Sequence, residues 1–142
     1  MRALGIDLGS KRIGIAVSDR SGTIASPLVV LERSGSVRHD HAAIARLVLE
    51  EEAEAVVVGM PLNMDGSHGP AARAAASEAA TLATVVGVPV FTSDERRTTV
   101  TADRAMMEAG LDARQRRRHV DKIAAAVMLQ SWLDRRAAGD GR

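Results

Sequence analysis

Gly5-Ile6-Asp7-Leu8-Gly9-Ser10-Lys11-Arg12-Ile13-Gly14-Ile15-Ala16-Val17-Ser18-Asp19 reads as a hairpin that carries an acid where a plain strand would place an apolar residue. Successive side chains of a strand point to opposite sides, so Leu4, Ile6 and Leu8 share one face and Gly5 and Asp7 the other. A two-residue turn, at Gly9-Ser10 or at Ser10-Lys11, pairs Asp7 with an even-numbered residue and adds Gly14 and Ala16 to its face. A three-residue loop would reverse that parity. With the shorter turn, Asp7 stands among small side chains, away from the aliphatic ones.

Working outward, residues 22–31 read as a third strand introduced by the Ser21-Gly22 turn, and Pro27, which cannot donate to a ladder, places it at an edge. Residues 34–40 read as a loop. A helix over about 41–52 follows, with Ile44, Leu47 and Val48 at helical spacing. Ala55-Val56-Val57-Val58-Gly59 is a continuous apolar run of the kind found in parallel strands covered on both faces. A turn-rich loop then leads to an alanine-rich helix over about 70–86, a strand at Val88–Thr92, a helix over about 98–109 closed by Gly110, and a last helix over about 118–137. Three hairpin strands followed by alternating helix and strand predict an α/β fold. Its mixed five-stranded sheet has three antiparallel strands, then two parallel ones, and helices on both faces. We expect one domain over residues 1–137, with 138–142 fraying.

The 142 residues suffice for such a core, with 46% hydrophobic residues. Phe91 and Trp132 are the only aromatic residues, which weighs against nucleic-acid modules that stack bases on several exposed rings. Absence of cysteine excludes disulfides, thiolate zinc sites and cysteine nucleophiles. With 19 basic and 18 acidic residues no global field draws a polyanion, so contacts to nucleic acid must come from local patches such as Arg96-Arg97 or the run from Arg114 to Lys122. In isolation such runs are solvated surface. No apolar stretch suggests secretion or membrane insertion, so a cytoplasmic location without a membrane partner is the default. The methionines Met60, Met64, Met106, Met107 and Met128 are most economically core or gap fillers.

Ligands of such sheets bind at the carboxyl ends of the parallel strands, and Glu95 follows one of those ends. Asp7, Glu95 and Asp121 together suggest an oxygen-only site for magnesium or manganese, because a divalent cation makes neighbouring carboxylates compatible. Taken separately they are a strand residue with hydrogen bonds, a surface or capping acid, and a helix-start acid favoured by the dipole. Spacing alone does not decide between these readings.

Four ordered segments narrow the choice. The hairpin from Gly5 to Asp19, Val58-Gly59-Met60-Pro61-Leu62-Asn63 with Asp65-Gly66-Ser67, Asp94-Glu95-Arg96 with Thr98-Thr99, and Asp121 to Gln130 resemble the successive motifs of the YqgF (RuvX) family. The departures are Val127-Met128 among usual aliphatics and Arg97 where a hydrophobic residue is usual. The resemblance implies an RNase H-like nuclease that hydrolyses phosphodiester bonds with Mg2+ or Mn2+. Such proteins are proposed to mature the 5′ end of pre-16S ribosomal RNA, or alternatively to resolve Holliday junctions, where cutting two symmetric strands would suit a homodimer. It implies that Asp7, Glu95 and Asp121 are the catalytic metal ligands. Ser10, Lys11, Arg12, Asn63, Arg96 and Lys122 are candidates for contacts to nucleic acid; His119 is more economically structural. Two competing readings are a kinase or ATPase of the actin and sugar-kinase type, which shares the phosphate hairpin but needs a second domain, and a non-catalytic RNA-binding assembly factor.

Overall fold

The hairpin forms as expected in a computed structural model that describes residues 1–94, 110 and 112–139, with only the backbone for residues 113–119. Strands β1 (Ala3–Leu8) and β2 (Arg12–Ser18) pair antiparallel, Asp7 opposite Gly14 and Gly5 opposite Ala16, which is the register of the Ser10-Lys11 turn. Strand β3 (Ala25–Glu32) pairs with β2 across an irregularity at Ile15/Ala16, next to the Ala16–Pro27 pair. It lies at the sheet edge, as Pro27 requires.

Helix α1 (Val37–Glu50) begins four residues before the expected start, so the loop assigned to residues 34–40 is shorter than its composition suggests. Ser36 causes the difference: its hydroxyl accepts a hydrogen bond from the His39 backbone N–H at 3.2 Å and caps the first turn. The helix ends at Glu51, and Glu52 follows in the left-handed region at φ 54°. Strand β4 (Ala55–Met60) is buried along its whole length and pairs parallel with β1. Helix α2 (Pro70–Ala83) ends three residues early, and β5 (Val90–Asp94) starts only after Pro89, whose carbonyl accepts from Val56 N–H at 2.9 Å. The helix expected over residues 98–109 lies outside the described residues. Helix α3 (Ala113–Ala137) starts five residues before the expected position, so the arginine run is helical and Asp121 lies about two turns inside the helix instead of at its start.

The strand order is β3-β2-β1-β4-β5, with β4 and β5 parallel. Alternation along the strands builds two cores. On one face Leu4, Ile6, Ile13, Ile15, Val56 and Val58 pack against Ile44 and Val48 of α1 and Ala79 and Leu82 of α2. On the other, Ala3, Ala16, Ala55 and Val57 lie under Ala125, Met128, Leu129, Trp132 and Leu133 of α3. The first face is branched and bulky. The second is built of small residues and lets a long helix settle close to the sheet. Met60 and Met128 are buried as expected, whereas Met64 is 61% exposed in the loop after β4 and fills no core gap; Met106 and Met107 lie outside the described residues. No helix among the described residues is long and apolar enough to cross a membrane.

Candidate active site at the carboxyl end of the sheet

Asp7 lies near the carboxyl end of β1 on the face covered by α3, with Gly14 opposite it. The glycine decides what happens above it. A Cβ on Gly14 would stand 2.1 Å from the Asp121 carbonyl oxygen and one on Gly5 2.8 Å from Leu129 Cβ, so α3 rests directly on backbone at both positions. The small residues around Asp7 are therefore the seat of a helix, and that helix delivers Asp121.

Burial pushes the Asp7 carboxyl up to about 6, and the negative charge of Asp121 adds to the effect. Asp121 accepts a hydrogen bond on Oδ2 from Arg12 Nε at 3.2 Å, which closes the hairpin tip against the helix. With the Arg12 side chain 44% exposed, this ion pair is a screened, adjustable contact. Ser10 and Lys11 are exposed at the same tip, and Lys122 is half-buried beside Asp121.

Strand β5 runs parallel to β4 and β4 parallel to β1, so Asp94, the last residue of β5, comes to the same end of the sheet. Glu95, Arg96 and Arg97 follow it outside the described residues. Among the described residues no three carboxylate or histidine groups converge as a ready metal cage. Asp7 and Asp121 are two oxygen donors that could hold a hard cation, and the like charge that adds to burial in raising Asp7 is what a divalent cation would offset.

After β4, Asn63 braces its own loop. Its Nδ2 donates to Ser67 Oγ at 3.0 Å, Ser67 Oγ donates to Asp65 Oδ1 at 2.6 Å, and the Asn63 backbone N–H donates to Ser67 O at 2.9 Å. Gly66, at φ 88°, makes the turn. The loop is exposed and ordered by its own side chains.

A second group of charged residues was not anticipated. Arg33 donates to Glu78 through both terminal nitrogens, Nη1 to Oε2 at 2.7 Å and Nη2 to Oε1 at 2.9 Å, while His41 Nε2 lies 2.8 Å from Glu78 Oε2. Burial pushes the Glu78 carboxyl up, but hydrogen bonds from Arg33 and His41 outweigh it and hold the group below the usual range. A signal was present in the sequence. His41 continues the Ile44, Val48 stripe of α1 at helical spacing, and Glu78 neighbours the Ala75, Ala79 stripe of α2, so both are polar residues on or beside apolar faces.

This fold, an acid-bearing hairpin in a mixed five-stranded sheet with a long helix packed on one face, is of the RNase H-like class. Over 99% of this chain and 98% of the other, it superposes on Thermus thermophilus RuvC in complex with a Holliday junction substrate with a TM-score of 0.67; at 18% identity the likeness concerns the fold. A family model described as RuvX, Holliday junction resolvase, matches residues 1–135, and the chain belongs to that family. Proteins named "Putative pre-16S rRNA nuclease" from Myxococcus xanthus (strain DK1622) and Moorella thermoacetica are 47% and 45% identical to it. The alignments cover 94% and 95% of this chain and 88% and 96% of theirs.

Proposed function

We propose that this chain is a metal-dependent endonuclease that hydrolyses phosphodiester bonds in maturing the 5′ end of pre-16S ribosomal RNA. One observation carries the reading: Gly14, paired with Asp7 across the hairpin, seats the α3 backbone at Asp121, so two acids far apart in sequence meet at one end of the sheet. Asp7, Asp121 and Glu95 would hold Mg2+ or Mn2+, which when bound offsets charge on the phosphate and favours water as the nucleophile. In the hydrolysis a bond forms between water oxygen and phosphorus, the ester P–O bond breaks, and the proton from water ends on the products. Lys11 and Lys122 flank the acids and neutralise backbone phosphates, and the exposed Ser10 hydroxyl donates to a phosphate oxygen. Arg12 holds the Asp121 carboxylate and orients it as a ligand. Arg96 is a further phosphate contact by its place after Glu95. The names of the relatives favour the RNA substrate, and the description of the family favours a DNA junction as the second reading.

Labelled pre-16S RNA and a four-way DNA junction, each incubated with magnesium or manganese, separate the two. The parent protein is expected to cut the RNA near its mature 5′ end, and both chelator and Asp7→Asn to stop it. Cleavage of the junction alone would transfer the assignment to resolution, with a dimer in light scattering. RNA binding without cutting in either metal would leave only an assembly factor.

A further inference from the structure

We propose that Arg33 is a positioning residue for the substrate-facing hairpin tip, with Glu78 and His41 as its buried anchor. The inference rests on the nuclease reading for what the tip does, and on contacts in the structure for what Arg33 does. Arg33 follows β3 and touches both sides of the Ser10-Lys11 turn. Its backbone N–H donates to the Lys11 carbonyl at 2.9 Å, and its side-chain Nε donates to the Gly9 carbonyl at 2.9 Å. One residue thus fixes the two peptide groups that bracket the turn, two positions beyond Asp7.

The remaining two nitrogens of its guanidinium are taken by Glu78 in the fork geometry that Arg alone offers. The side chains of Arg33 and Glu78 are 16% and 17% exposed, and His41 is 1% exposed. Asp40, also buried, stands 4.0 Å from Nη1 and accepts the Ser34 N–H, so the approach of α1 to the end of β3 is set by the same cluster. A buried ion pair adds little net stability over apolar residues of equal volume. What this one adds is direction: with both Nη atoms committed to a helix of the opposite face, Nε can point only at Gly9. With the Gly9 and Lys11 carbonyls held from behind, Arg12 reaches Asp121 on α3 from the tip. The site is therefore braced through the sheet, from the α1 and α2 side to the α3 side.

Arg33→Lys keeps the positive charge against Glu78 and the backbone bond to Lys11, and loses the Nε bond to Gly9. Glu78→Gln keeps Arg33 and loosens the fork, and serves as the second variant should the first fold poorly. Backbone amide order parameters of Ser10 and Lys11 are expected to fall from about 0.85 to below about 0.6 in Arg33→Lys, with those of Ile6 and Val57 unchanged. KM for the RNA should rise about tenfold while kcat stays within about twofold, the pattern of lost substrate binding. An unchanged tip, loosening that spreads to Ile6 and Val57, or a loosened tip with KM and kcat of the parent would each overturn the proposal. The order parameters need no substrate. Should the parent cut nothing, the nuclease reading fails, and affinity for the same RNA in fluorescence anisotropy takes the place of KM in deciding the role of Arg33.

Discussion

Asp7 holds a charge in a place that disfavours it. Its carboxyl is raised from 3.8 to about 6, first by burial and then by Asp121, so the folded chain retains a proton that the unfolded chain gives up. In chelator, the stability this supplies is complete below about pH 4 and is lost as pH rises through about 6. A shift of about two units corresponds to about 3 kcal/mol at most. Asp7→Asn removes the charge and keeps the shape. Urea unfolding in chelator should find the variant more stable than the parent by about 1–3 kcal/mol at pH 7.5 and equal to it near pH 4. A variant destabilised at pH 7.5 would refute the account of burial. On the proposed role of Asp7 as a metal ligand, the variant should also lower cleavage by about a hundredfold or more, since partners of ligands cost about 10- to 100-fold. Asp7 was legible as an exception because strand alternation assigns it to the face opposite Leu4 and Ile6. Its pairing with Asp121 was legible through the ordered motifs and not through spacing, since more than a hundred residues separate the two and the seat provided by Gly14 brings them together.

At the scale of elements, the close approach of α3 to β1 and β2 makes glycine a requirement. Gly14→Ala places a methyl group against the Asp121 backbone at a distance no carbon tolerates, so α3 must retreat and Asp121 with it. We expect a loss of about 1–3 kcal/mol in urea unfolding together with loss of cleavage. A variant with parental stability and activity would show that α3 sits further from the sheet. The end of α1 offers the opposite case. Glu52 adopts φ 54° with its side chain 73% exposed and only a 3.5 Å contact to Arg20. Glu52→Gly should relieve the strain and stabilise the fold by about 0.5–1 kcal/mol in denaturant unfolding, net of the extra freedom gained by the unfolded chain. Strand positions followed from alternation, the buried run at β4 and Pro27, because these depend on nearest neighbours. The starts of α1 and α3 did not, because Arg38-His39-Asp40 and the arginine run look like solvated loop until a cap at Ser36 or packing further along commits them to a helix. The Arg33, Glu78 and His41 cluster depends on three elements meeting and has no local signature beyond two polar residues at apolar stripes.

The molecule as a whole is almost neutral, at +1, so its attraction to nucleic acid depends on few cations. With Lys11, Arg96 and Lys122 as the phosphate contacts, the logarithm of affinity for duplex DNA should fall against the logarithm of salt with a slope of about −3. Lys11→Ala should reduce its magnitude by about 1. A slope near about −6 would bring in the arginine run of α3. Placing both acids on a sheet and helix joined by backbone contact also gives the chain an optical property. Trp132, its sole tryptophan in a sequence without tyrosine, is buried on α3 with the Phe91 ring centroid 5.5 Å away and the Arg136 guanidinium 5.2 Å from its own. Ultraviolet emission from this protein therefore has one source, and that source sits on the helix that carries Asp121. A red shift means that α3 has lifted from the sheet, so the assembly of the acids can be timed in a stopped-flow fluorimeter on the unlabelled chain.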